Sequence, residues 1–265
     1  MPESGAQPTL HEVEQLARDA GQLLLTRYGK VHEIKMKGLV DLVTEADHLA
    51  EAFILGYLKE KYPYHLIVSE EAGSNFVRSD HAWYIDPLDG TVNFAHGIPI
   101  FSVSIAYAYR GQIQIGVVYD PSRDECFSAE QGKGACLNGL PIRVTKTQKL
   151  IHSLLVTGFP YEKDENHTSN LDHYGYFSMR TRGVRRLGSA AIDLCYVACG
   201  RFDGYWELVL NPWDYAAGSL IASEAGGIVS TASGKGLDPR DSLSIIAANP
   251  SLHSEILQVL LTGVE

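Results

Sequence analysis

Trp83-Tyr84-Ile85-Asp86-Pro87-Leu88-Asp89-Gly90-Thr91-Val92-Asn93-Phe94 is the stretch from which the rest of the chain is read. An apolar run with the make-up of a strand ends in two aspartates, Asp86 and Asp89, separated by a stiff Pro and a Leu and followed at once by Gly90 and Thr91. Such a turn aims two carboxylates at one point and bares the amides of Gly90 and Thr91 beside them. Carboxylates gather hard divalent cations, and successive free amides make a concavity for an anionic oxygen. The stretch therefore predicts both halves of a metal-assisted phosphoryl site. A surface Asp-Gly turn accounts for the glycine but leaves Pro87 and the pair of acids unexplained.

Working outward, the chain has 265 residues, 45% of them apolar, ample for a core in one large domain or two modest ones. No apolar stretch approaches a membrane span, and Met1–Pro8 lacks a basic-then-apolar leader pattern, so the expectation is a cytoplasmic protein with no membrane partner. Four cysteines (Cys126, Cys136, Cys195, Cys199) are too few for a disulfide framework and read as packed thiols. The net charge of −10 argues against non-specific nucleic-acid binding. It also repels a phosphate ester unless a bound cation inverts the local field.

Leu10, Val13, Leu16, Ala17, Ala20, Leu23 and Leu24 recur at helical spacing and predict a helix to about Tyr28. A polar loop (35–40) follows, then a capping box at Thr44–Asp47 that opens a second helix stopped by Pro63. Short buried strands are expected at 65–68 and 82–85, and an antiparallel meander at 102–109, 112–119 and 125–129. Beyond Thr145 the texture alternates: strands at 154–157, 204–207, 227–230 and 244–247, and helices after the polar 162–169 segment and at 189–199, 215–225 and 250–261. That order predicts an α/β (α+β layered) fold, with a boundary near 145 dividing an N-terminal part (1–145) from a C-terminal part (146–265) within one compact unit.

Further acids sit at element ends, where loops commonly build sites. Asp41 and Asp47 lie at a helix entry, Glu70 and Glu71 follow a strand, and Asp214 opens a helix. Each has a plainer reading too. Asp47 closes a capping box, Glu70 and Glu71 form a solvated turn, and Asp214 is an N-cap.

Taken together, these motifs resemble the inositol monophosphatase family over nearly the whole chain. Trp83–Phe94, Trp213–Gly218 with Glu224–Gly227, Asp41–Asp47, Gly188-Ser189-Ala190-Ala191 and Glu207 carry the resemblance. It implies an alternating α-β-α-β-α sandwich of the inositol monophosphatase and fructose-1,6-bisphosphatase type. It implies two to three Mg²⁺, with Mn²⁺ as a substitute. Glu70, Asp86 and the carbonyl of Leu88 look like one metal site; Asp86, Asp89 and Asp214 look like a second, with a third weaker ion near Glu70. Thr91 and Asp47 would orient and deprotonate the attacking water. Gly90 and Thr91 would hold the phosphate, and Glu207 with Gly188, Ser189 and Ala190 would meet the substrate's hydroxyls. A homodimer and sensitivity to Li⁺ are implied as well.

The expected reaction is hydrolysis of a small phosphomonoester without a phospho-enzyme, most readily inositol 1-phosphate. Fructose 1,6-bisphosphate is the alternative, for which Arg182, Arg185 and Arg186 offer cations, although a solvated basic turn also accounts for them; histidinol phosphate ranks lower. An aspartyl-phosphate mechanism wants Asp-x-Asp-Gly-Thr, and here the acids are one residue further apart. A rival of another class, an interaction protein of the transcription machinery, predicts lost ligands, whereas every matching acid is present.

Overall fold

The structure is a computed structural model that describes residues 7–30, 35–36, 42–75, 77–160, 170–241 and 243–263. The expected segment 162–169 and Asp41 lie outside the described residues. Helix α1 (Leu10–Arg27) is followed by the strands β1 (Lys35–Met36) and β2 (Leu42–Val43), then α2 (Glu45–Lys61). The strands β3 (Leu66–Ser69), β4 (Gly73–Ser74) and β5 (His81–Asp89), the short helix α3 (Thr91–Ala95), β6 (Ser102–Tyr109), β7 (Gln112–Asp120), β8 (Glu125–Glu130), β9 (Ala135–Leu137) and β10 (Leu140–Pro141) complete the first half. After a turn of 3₁₀ helix come β11 (Leu154–Thr157), α4 (Leu171–Arg180), β12 (Gly183–Arg185), α5 (Ala190–Ala198), β13 (Gly204–Leu210), α6 (Pro212–Glu224), β14 (Ile228–Ser230), β15 (Leu243–Ala248) and α7 (Pro250–Thr262).

An eight-stranded sheet runs β10-β9-β8-β7-β6-β5-β3-β4 and a five-stranded sheet runs β12-β11-β13-β15-β14. Strand alternation sorts the side chains. On β5, Trp83 and Ile85 join the core under α1 and α2, while Ala82 and Tyr84 join the core shared with α5 and α6. On the second sheet, Val156, Tyr205 and Ala247 face α5 and α6, while Leu155, Trp206 and Ile246 face α4 and α7. The layers are therefore helix, sheet, helix, sheet, helix, as the resemblance implied.

Several sequence expectations are corrected. Lys35–Met36 is not loop but pairs antiparallel with Leu42–Val43. The Arg182–Arg186 stretch is not a turn, because 183–185 forms β12 beside β11. The sixth helix starts at Pro212, whose fixed φ suits a first turn. Asp214 is accordingly its third residue, with Asn211 as the N-cap. Strand β5 does not stop at Ile85; it runs on through Asp89.

Candidate active site

Strands β3 and β5 are parallel neighbours, with Ser69 beside Ile85. Glu70, just past the end of β3, thus stands beside Asp86 within β5, and the Glu70 amide donates to the Ile85 carbonyl (3.2 Å). Asp86 and Asp89 differ by an odd number of residues, so a regular strand would send them to opposite faces. The pairing shows how they avoid this: Asp86 faces Ser104 and Asp89 faces Ser102, with one extra residue on β5 between them. This one-residue bulge restores the parity and turns both carboxylates toward α5 and α6. Pro87, which lacks an N–H, is tolerated at such a bulge. Leu88 packs into the opposite core.

Gly90 then reverses the chain at φ +94° and caps α3. A Cβ there would stand 2.9 Å from the Ile100 carbonyl and 3.3 Å from that of Gly188, so the residue must be glycine. Asn93 fixes the same junction, donating from Nδ2 to the carbonyls of Ile100 (2.9 Å) and Leu187 (2.8 Å). Thr91 Oγ1 lies 2.9 Å from the Leu88 carbonyl and 3.0 Å from Asp47 Oδ1. Asp47 Oδ2 accepts from the Thr44 amide (2.9 Å) and hydroxyl (2.7 Å). One oxygen of Asp47 thus closes the capping box and the other accepts from Thr91.

Asp89 is held at the N-terminus of α5. Its oxygens accept from Ser102 (3.1 Å), from the Ser189 hydroxyl in a very short bond, and from the amides of Ala190 (3.2 Å) and Ala191 (3.0 Å). The Ser189 hydroxyl and the Ala190 amide are thus turned on Asp89. Asp214 Oδ2 accepts from the Asn211 amide (2.7 Å). Glu207, on β13, accepts from the Tyr205 hydroxyl (2.5 Å), and its carboxylate fills the space that a side chain on Gly158 would need.

Glu70, Asp86, Asp89, Gly90, Thr91, Glu207 and Asp214 line one cavity of about 350 Å³, and Asp47 stands behind Thr91 rather than in its wall. Among the described residues its wall carries six acids (Glu70, Asp86, Asp89, Asp193, Glu207, Asp214) and one basic residue, Arg186. Sequence reasoning missed Asp193 and read Arg186 either as a cation for a second phosphate or as part of a solvated turn; it lines the cavity. His96, beside the turn, is exposed at the end of α3. Burial, then the charges of Glu70, Asp89 and Asp214, hold the Asp86 carboxyl well above the usual carboxylate range. Burial and the charge of Glu70 do the same to Asp214. Burial raises Asp89, with the Ser189 and Ser102 hydrogen bonds opposing it. Burial pushes Glu207 to about 7.

Among the described residues no three His, Cys, Asp or Glu side chains are drawn together tightly enough to hold an ion as they stand. The donor set nevertheless suits a hard cation, being all oxygen. Glu70 and Asp86 lie within hydrogen-bonding reach of one another, which two carboxylates tolerate only with a proton or a cation between them.

A layered α/β sandwich that gathers this acid set from the end of β3 and from β5, β13, α5 and α6 beside a Gly-Thr turn defines a phosphomonoester hydrolase. The inositol monophosphatase family pattern matches residues 6–264, and the chain belongs to that family. It is 49% identical to an inositol-1-monophosphatase of Synechocystis sp., over 91% of this chain and 84% of that protein. It is 45% identical to the Nus factor SuhB of Pseudomonas aeruginosa, over 86% of this chain and 87% of that protein. The solved inositol monophosphatase of Anabaena (Nostoc) sp. superposes with a TM-score of 0.86 at 39% identity, covering 95% of this chain and 94% of that one.

Proposed function

We propose that the chain hydrolyses a polyol phosphomonoester, inositol 1-phosphate in the first place, with Mg²⁺ as its cofactor. The observation that carries this reading is the single cavity in which the Asp86–Asp89 bulge and Glu207 lie together. The 49% identity to an inositol-1-monophosphatase supports the substrate. Mg²⁺ held by Glu70, Asp86, the Leu88 carbonyl, Asp89 and Asp214 supplies Lewis acidity toward the phosphate oxygens and charge neutralisation for the leaving alkoxide.

The chain's own groups do the rest. The amides of Gly90 and Thr91 hold phosphate oxygens at the bulge. The Thr91 hydroxyl, steadied by the Leu88 carbonyl, orients the attacking water together with Glu70. Asp47 Oδ1 receives its proton through Thr91; burial raises that carboxyl and improves it as a base. Glu207 accepts a hydroxyl of the leaving group, with Gly188, Ser189 and Ala190 forming the adjoining wall. The protein's part is placement and charge, as phosphoryl transfer needs little covalent help.

The test is phosphate release from inositol 1-phosphate, fructose 1,6-bisphosphate and histidinol phosphate, with and without Mg²⁺ and with Li⁺ in parallel. Mg²⁺-dependent, Li⁺-suppressed release with inositol 1-phosphate the best substrate supports the reading; no release from any ester overturns it. The name of the Pseudomonas aeruginosa relative favours a second, binding role in transcription. The complete acid set supports such a role only in addition to catalysis.

A further inference from the structure

Asp193 stands on α5 one turn beyond its N-cap, with its amide donating to the Ser189 carbonyl (3.0 Å). The residue is 1% exposed, lines the cavity, and its Oδ1 has no hydrogen-bond partner among the described residues. A buried carboxyl oxygen without a donor is costly, and folded proteins rarely tolerate one without a use for it. Nothing in the chemistry proposed above employs it. Its charged surroundings among the described residues are Glu207 and Asp89, opposed by Arg186. Across the same cavity, one oxygen of Glu207 is taken by the Tyr205 hydroxyl.

That end of the cavity is therefore rich in acceptors and poor in donors. A leaving group with several hydroxyls supplies the missing donors. A second phosphate supplies none and brings two further negative charges to an end of the cavity where Asp193 and Glu207 already face Arg186. Family motifs held in common at the metal-binding end say nothing about this discrimination, because Asp193 lies outside them.

We propose that Asp193 is a specificity-determining residue, which takes a hydroxyl of the leaving polyol beside Glu207 and selects polyol monophosphates over sugar bisphosphates. The assignment rests on the phosphomonoesterase reading, and two measurements separate their failures. In the first, kcat/KM is measured with Mg²⁺ for wild type, Asp193→Asn and Asp193→Ala on inositol 1-phosphate, fructose 1,6-bisphosphate and p-nitrophenyl phosphate, whose leaving group offers no alcohol donors. The ratio of inositol 1-phosphate to p-nitrophenyl phosphate should fall at least tenfold in both variants, chiefly through KM, and the ratio to fructose 1,6-bisphosphate should fall with it. Unchanged ratios, or a parallel loss on all three esters accompanied by a lower Tm, overturn the assignment in favour of a structural role. In the second, calorimetry follows myo-inositol binding without turnover. Binding by wild type that weakens tenfold in Asp193→Ala upholds the assignment even if no ester is hydrolysed. Equal binding by the variants, or none by wild type, overturns it.

Discussion

Thr91 Oγ1 lies 3.0 Å from Asp47 Oδ1, joining the Asp-Gly-Thr turn to the first turn of α2 across 44 residues of sequence. The hydroxyl has one proton and two acceptors in reach, Asp47 and the Leu88 carbonyl at 2.9 Å. It can therefore give its proton to one and remain an acceptor for a water's proton. Because Asp47 is anchored through its other oxygen by Thr44, the dyad is rigid before any ligand arrives. Thr91→Ala should lower kcat by roughly 10²–10⁴ with KM little changed, and Thr91→Ser should recover most of it. Steady-state kinetics decides; an unaltered kcat in Thr91→Ala removes the dyad from the mechanism.

Gly90 is the point where three backbone segments meet, and its φ of +94° already favours glycine. In Gly90→Ala the new methyl has to displace the Ile100 carbonyl, 2.9 Å away, and adds the strain of a left-handed residue. The expected outcome is a loss of about 1–3 kcal/mol of stability together with loss of activity. Thermal unfolding and phosphate release should fall together, since the turn positions the Thr91 amide as well as the fold.

The acids of the cavity make the metal-free protein a strained one. Raised folded-state values for Asp86, Asp89 and Asp214 mean that these groups favour the fold when protonated. Their contribution is complete below about 4, the ordinary range of an unfolded carboxylate, and is lost as pH rises through the raised folded values. In EDTA at neutral pH, Asp86→Asn should therefore be more stable than wild type by roughly 1–4 kcal/mol. Mg²⁺ should raise the Tm of wild type by mass action and do much less for Asp86→Asn. Calorimetric unfolding with and without Mg²⁺ reads both effects; a less stable Asp86→Asn in EDTA would refute the account.

What the sequence made legible was local. The capping box at Thr44–Asp47 depends on a three-residue spacing, and the meander depends on alternation and turn residues, so both were readable. Strand β5 was cut short at Ile85 because Asp and Pro are poor strand formers, and only pairing with β6 reveals that the break is a bulge. Contacts that span the chain left no local trace. Asn93 meets Leu187 across 94 residues, and Arg186 enters the cavity only because β12 lies parallel to β11. Asp193 sits in an apolar helical run whose pattern says buried helix and nothing about which wall the carboxylate reaches.

A second titrating cluster lies away from the cavity. His65 and His81 stack with ring centroids 4.4 Å apart, Trp83 Nε1 donates to His65 Nδ1 (3.1 Å), and Tyr107 bonds His81 (2.6 Å). Burial, then the neighbouring His81, lowers His65 from 6.5 to about 4, and burial lowers His81 as well. Protonating His65 would need the lone pair that already accepts from Trp83. The sign follows from the lowered value: above 6.5 neither folded nor unfolded chain is charged here, and between 6.5 and about 4 only the unfolded chain gains the proton. Stability should therefore fall as pH drops through that window, by about 1–3 kcal/mol for this residue. In His65→Phe, which keeps a ring in the stack but leaves Trp83 without its acceptor, stability should be lower at pH 8 yet decline less on acidification. Urea unfolding of both proteins at pH 8 and pH 5, each with Mg²⁺, measures the difference; equal declines would show that the histidine stack does not set acid sensitivity.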